Sequence, residues 1–306
     1  MGCNGGKEVE KNKREISIDP ICRFSLEVPN IYSMATYDDN QILLGTKNEL
    51  KIFDCTTKTI STLSNEHKGR INCIIKLSNN EIATAGQDKK IKIWNIDEKN
   101  SLMTLSGHKS MIWCLNEIKD NKLITGASDR TAIIWDLTTK QMDFELFKGE
   151  IKEKSDISIA LQLKSGNVII CYHDELKIFD IGKKEKIAEK IIPEGVWYIL
   201  ELKNGTVAAG YGNGDIGILE IGNEIKVKNI LKGHPKSVNS IIEINDNRIV
   251  SASDGNTNNL ILWDLNTPDT KLFLEGHNNS VTSLARIRGD KFASASANDK
   301  TFKIWE

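Results

Sequence analysis

A chain of 306 residues with 39% hydrophobic and 27% charged content has an ordinary globular composition, enough for two average domains or one large all-β domain. Its formal net charge of −1 provides no global basic field, which argues against nucleic acid as a partner. No run approaches the roughly 20 apolar residues of a membrane-spanning helix, and the six cysteines (3, 22, 55, 73, 114 and 171) show no CxxC spacing.

The chain opens with MGCNGGKEVEKNKRE, which lacks the apolar core of a secretory signal. Reduced thiols in the cytosol are therefore expected, and residues 1–19 read as a flexible tail. Met1-Gly2-Cys3 is similar to the start of dually acylated proteins, with myristate on Gly2 and palmitate on Cys3. Gly6 stands where the usual pattern has Ser or Thr. One acyl chain binds a membrane only marginally, and KEVEKNKRE, with four positive and three negative charges, is a poor polybasic patch. Cys3 would have to carry the second anchor. The expectation is a cytoplasmic protein, tethered at the cytosolic face of a membrane where Gly2 and Cys3 are both acylated.

From residue 20 onward the chain repeats itself. The short runs KIFD, KIWN, IIWD, KIFD, GILE, LILWD and KIWE carry Phe53, Trp94, Trp135, Phe179, Leu219, Trp263 and Trp305, spaced by 41, 41, 44, 40, 44 and 42 residues. The next residue is always Asp, Asn or Glu. Turn clusters DDNQ, SNNE, KDNK, KSGN, KNGT, NDNR and RGDK keep the same register, each between two β-type runs. No 3.6-residue periodicity persists over helical length. Cys73 and Cys114 fall one repeat apart at matching strand positions, which predicts core packing and not metal binding.

Gly-His pairs add a third signal at Gly107-His108, Gly233-His234 and Gly276-His277, with His67 after Glu66. With these GH…WD units the sequence resembles the WD-repeat family of β-propellers over residues 20–306. The resemblance implies an all-β fold of seven four-stranded antiparallel blades. It also implies hydrogen-bonded tetrads within blades. These are His67, Thr84, Asp88 and Trp94 in blade two, and His108, Thr125, Asp129 and Trp135 in blade three. Blade six offers His234, Ser251 and Trp263 with Asp254 as candidate carboxylate, and blade seven His277, Ser294, Asp299 and Trp305. Blades one, four and five lack the Trp and must rely on apolar packing. Because the last blade ends after its third strand, ICRFSLE at 21–27 is expected to close the ring and cover the open edge.

Little points to catalysis. Four of the five histidines belong to tetrads, leaving His173 in a turn of blade four. Gly212, Gly214 and Gly217 spell GxGxxG but sit in a hairpin with a strand following, where a dinucleotide site needs a helix. There is no HExxH, GxSxG or P-loop. No cofactor and no metal are expected, and the chain is read as a non-enzyme.

Each inner strand opens with Ile31, Ile71, Ile112, Ile157, Val196, Val238 or Val281. The residues that follow are Tyr32, Asn72, Trp113, Ser158, Trp197, Asn239 and Thr282. In the family this position lies at the rim of the channel, on the face that captures peptides. Tyr32, Trp113 and Trp197 are thus candidate anchors, the alternative being that the rings fold inward and plug the channel. Asn239 shares their position, and Gln87, Ser128, Arg130, His173 and Asn298 are candidate polar neighbours. The functional expectation is a protein- or peptide-binding scaffold, monomeric by itself. Its alternative is a recognition or signalling subunit of a larger complex, of ubiquitin-ligase or G-protein type. The tail is too short for a G-protein β-type helix, WDLT and WDLN differ from the WDxR of ligase receptors, and Arg286-Ile-Arg288 only faintly echoes a phosphoinositide site.

Overall fold

In the computed structural model, which describes residues 21–98, 100–146 and 156–306, the repeated turn clusters do become hairpins. Five of the seven clusters place a residue in the left-handed region, at Asn80, Asp120 and Asn121, Gly166, Gly205 and Gly289. In blades one, three and four the acid after the bulky residue also has a local reason. Asp54 accepts the amides of Thr56 and Thr57, Asp136 those of Thr138 and Thr139, and Asp180 that of Lys183, each closing the turn into the outer strand.

The strands assemble into seven antiparallel sheets of four. Blades one to six take consecutive strands spanning 33–64, 71–106, 112–146, 159–191, 196–231 and 238–273. Blade seven combines Ser283–Arg286, Phe292–Ser296 and Thr301–Trp305 with the N-terminal strand Cys22–Glu27 as its outermost member. Phe24 lies opposite Ile304 and Leu26 opposite Phe302, so the ring closes as expected. Among the described residues there is no helix.

The core is not a single ball. Seven apolar clusters fill the seven junctions between neighbouring blades, for example Leu43, Leu50 and Ile52 of blade one against Ile71, Ile74, Ile82 and Trp94 of blade two. The bulky residue of every repeat is buried in such a wedge. All seven inner-strand Ile and Val residues are buried as well. This packing fixes the residue that follows each of them.

Candidate functional site

Strand register explains which blades carry a polar network. Two residues beyond the partner of the bulky side chain, the second strand holds Thr84, Thr125, Ser251 and Ser294 in blades two, three, six and seven. The same position holds Leu44, Ile170 and Ala209 in blades one, four and five, so no hydroxyl is stranded there. In blade three Trp135 Nε1–H donates to Thr125 Oγ1 at 2.8 Å, and His108 Nε2 lies 2.7 Å from the same oxygen. His108 Nδ1 lies 3.0 Å from Asp129 Oδ2. A neutral imidazole protonated at Nδ1 satisfies the whole chain, since Nε2 then accepts the threonine hydroxyl. Blade two repeats this through Trp94, Thr84, His67 and Asp88, and blade seven through Trp305, Ser294, His277 and Asp299.

Blade six departs from expectation. His234 Nε2 meets Ser251 Oγ at 2.6 Å, and Trp263 donates to that hydroxyl at 2.7 Å. The acceptor for His234 Nδ1, however, is the Asn258 carbonyl at 2.8 Å. Asp254 is not a tetrad member, because the inserted SDGNTNN turn delivers a backbone oxygen instead.

The carboxylates and histidines shift accordingly. Burial works against ionisation of Asp299, yet hydrogen bonds from Thr301 and His277 outweigh it and lower its pKa. Asp129 and Asp88 are lowered in the same way by donors that include His108 and His67. Desolvation lowers His277, and it lowers His234 to about 4 where only a neutral carbonyl opposes it. These histidines hold blades together.

The other set of positions converges on the central channel. Tyr32, Asn72, Trp113, Ser158, Trp197, Asn239 and Thr282 all line one cavity of about 280 Å³. Four of the seven stitch neighbouring blades. Asn72 Nδ2 donates to the Ile112 carbonyl at 2.8 Å, Thr282 Oγ1 to Ile31 at 3.2 Å, and Ser158 Oγ to Val196 and Asn239 Nδ2 to Val281 at 3.4 Å. The remaining three are the aromatics of blades one, three and five.

Those aromatics are not equivalent. Trp113 is partly buried, and its Nε1–H donates to Ser128 Oγ at 2.7 Å, which in turn donates to Asp156 at 2.7 Å. Arg70, preceding the inner strand of blade two, places its guanidinium 4.6 Å from the Tyr32 ring centroid and 5.5 Å from that of Trp113. Its Nε–H donates to Asn72 Oδ1 at 2.7 Å, and Gln87 Oε1 accepts its backbone amide at 3.3 Å. Trp197 is 51% exposed and meets His173 edge-to-face, with centroids 6.3 Å apart. The mouth therefore has a fixed side, Tyr32–Arg70–Trp113, and an open side, Trp197–His173.

Several proposed rim residues are already engaged. Asn239 donates to Asp254 Oδ1 at 2.7 Å, so its amide belongs to the channel wall. Gln87 is exposed but tied to the Arg70 backbone. Arg130 and His173 are exposed turn residues with φ of 66° and 55°, and Asn298 bonds to Asn279. Arg70 and Asp156 escaped the sequence reading. Both precede the first inner-strand residue of their blades, a column that reads Asn30, Arg70, Met111, Asp156, Gly195, Ser237 and Ser280. It holds one cation and one acid.

The GxGxxG glycines lie in and beside the hairpin between the second and third strands of blade five, where a Cβ on Gly217 would fall 1.9 Å from Tyr211 Oη. Burial pushes the Cys114 and Cys171 thiols up to about 12, which suits packing and not nucleophilic chemistry. Among the described residues no three His, Cys, Asp or Glu side chains converge to hold a metal ion. Gly2 and Cys3 lie outside the described residues.

The family model described as "WD domain, G-beta repeat" matches residues 57–95, 99–136, 225–264 and 269–306, just over half of the chain. These stretches end on the third strands of blades two, three, six and seven, the four that carry the Trp–hydroxyl–His network. No match was found among curated proteins.

Proposed function

Because the chain belongs to the WD-repeat family of β-propellers, we propose that it is a non-catalytic scaffold that captures a segment of a protein partner at the channel mouth. Propellers of this family typically serve as interaction scaffolds and are usually not enzymes. One observation carries the choice of surface. Seven equivalent residues of seven blades meet at one cavity, and the three that do not stitch blades together are aromatic. Rigid aromatics at a concave mouth bury much area at low entropic cost when a partner side chain enters. Trp197 is the anchor in this reading, since half its surface is open.

Affinity capture by wild-type protein and a Trp197→Ala variant, paired with thermal denaturation, tests this. Loss of bound partners at unchanged Tm is expected, and an unchanged bound set would overturn it. Membrane attachment at the cytosolic face is proposed on Gly2 and Cys3 alone. The intact mass of protein from its native cell checks it through the added acyl masses.

A further inference from the structure

We infer that the channel mouth selects a peptide segment bearing an anionic side chain, a carboxylate or a phosphate, and that Arg70 is the residue that reads it. This rests on the mouth being the partner site.

Arg70 is held in a way that an ordinary surface arginine is not. Its guanidinium lies within cation–π distance of both the Tyr32 and the Trp113 rings, and its Nε–H is occupied by Asn72 Oδ1. The orientation of Asn72 is set in turn, because its own amide donates to Ile112 of the next blade. The Arg70 backbone is clasped on both sides by Gln87, whose amide donates to the Arg70 carbonyl at 2.8 Å. Three blades thus fix one guanidinium beside the cavity.

What the guanidinium lacks is an anion. Among the described residues no carboxylate lies within 4.0 Å of it, and its Nη atoms make no hydrogen bond there. A planar fork held against two aromatic rings with its Nε filled leaves the Nη edge to recognise an oxyanion, with part of the orientational entropy already lost. Elsewhere on the rim the charges are satisfied differently. Asp156 accepts from Ser128, and Asp254 accepts from Ser237 and Asn239. Among the described residues the cation of blade two is thus a held charge without an ion-pair partner beside the cavity, and Trp197 across the mouth supplies the apolar contact.

Fluorescence polarisation of the full chain against degenerate peptide pools tests this. The pools carry Glu, phosphoserine, Gln or Lys at a fixed central position and have capped termini. The Glu and phosphoserine pools should bind about tenfold tighter than the Gln pool, and the Lys pool weakest. Comparing Glu with phosphoserine separates the two sources of the anion. Arg70→Gln should reduce the anionic pools to the level of the Gln pool, and Arg70→Lys should leave an intermediate preference. Asp156→Asn should preserve the ranking. If Arg70→Gln does not fold, the Lys variant must still show the reduced preference.

Equal binding of the Gln and Glu pools, or an anionic preference that survives in both Arg70 variants, overturns the inference. If neutral pools bind and Trp197→Ala abolishes that binding, the partner site stands and only its charge selectivity falls. If no pool binds, both fall.

Discussion

Asn239 Nδ2 donates to Asp254 Oδ1 at 2.7 Å, and this bond draws the one acid of the blade-six turn toward the channel and away from His234. Asp254 also accepts from Ser237 Oγ at 3.0 Å. The carboxylate that sequence pattern offers to the blade interior is instead a brace for the channel wall.

Asp254→Ala should therefore lower stability by roughly 1–2 kcal/mol while leaving the Trp263 indole environment intact. Asp299→Ala should cost at least as much and also shift the Trp305 indole N–H, because it strips the acceptor from His277. Urea denaturation together with NMR of the indole protons checks both. A Trp263 shift in the first variant as large as the Trp305 shift in the second would refute the assignment.

Blade six also predicts an acid-side loss of stability. His234 has a folded pKa near 4 against an ordinary value of 6.5. Between those values the unfolded chain binds the extra proton, so stability is full above about pH 6.5, falls as pH drops toward 4, and levels below that. The loss is at most roughly 3 kcal/mol. His277 is lowered too and acts in the same direction. The lowered aspartates 88, 129 and 299 act in a separate window. Their contribution is present above the ordinary carboxylate value of 3.8 and is lost as pH falls through their folded values. Urea midpoints at pH 7.5 and 5 should differ less in His234→Gln than in the wild type.

The two spare tryptophans should separate on substitution. Trp113→Ala removes the Ser128 bond and a ring within cation–π distance of Arg70, and should destabilise by roughly 1–3 kcal/mol. Trp197→Ala removes a half-exposed ring and should stay within about 0.5 kcal/mol of wild type. Differential scanning calorimetry decides between this and the view that both rings are structural.

Ring closure should depend on aromatic packing at the junction of blades seven and one. Phe24 of the closing strand lies 5.6 Å from Phe53, which lies 4.7 Å from Phe302. Phe302→Ala, at a fully buried site, should cost roughly 3–5 kcal/mol, and Phe24→Ala less. Equal losses in chemical denaturation would argue against this ordering.

Much of this was readable from the sequence because the repeat register itself encodes it. Trp94, Trp135 and Trp305 announce their tetrads, Trp263 announces only the hydroxyl–His part of its own, and ICRFSLE announces the closing strand. Four features escaped for physical reasons, Asp156 among them because the serine it accepts from belongs to the preceding blade. Asp254 depends on how an insertion folds, and Asn239 on a partner 15 residues away. Arg70 depends on a contact among three blades, Tyr32 of one and Trp113 of another, which no single repeat displays. Reading one column further toward the start of each inner strand would have isolated it.

The pairing of Cys22 with Trp305 has a temporal consequence. Strand Cys22–Glu27 and strand Thr301–Trp305 are separated in sequence by the six other blades, and until they meet blade seven lacks its outermost strand. Joining them is a slow, long-range step, and until it is taken the bare strand edge is open to pairing with a neighbouring chain.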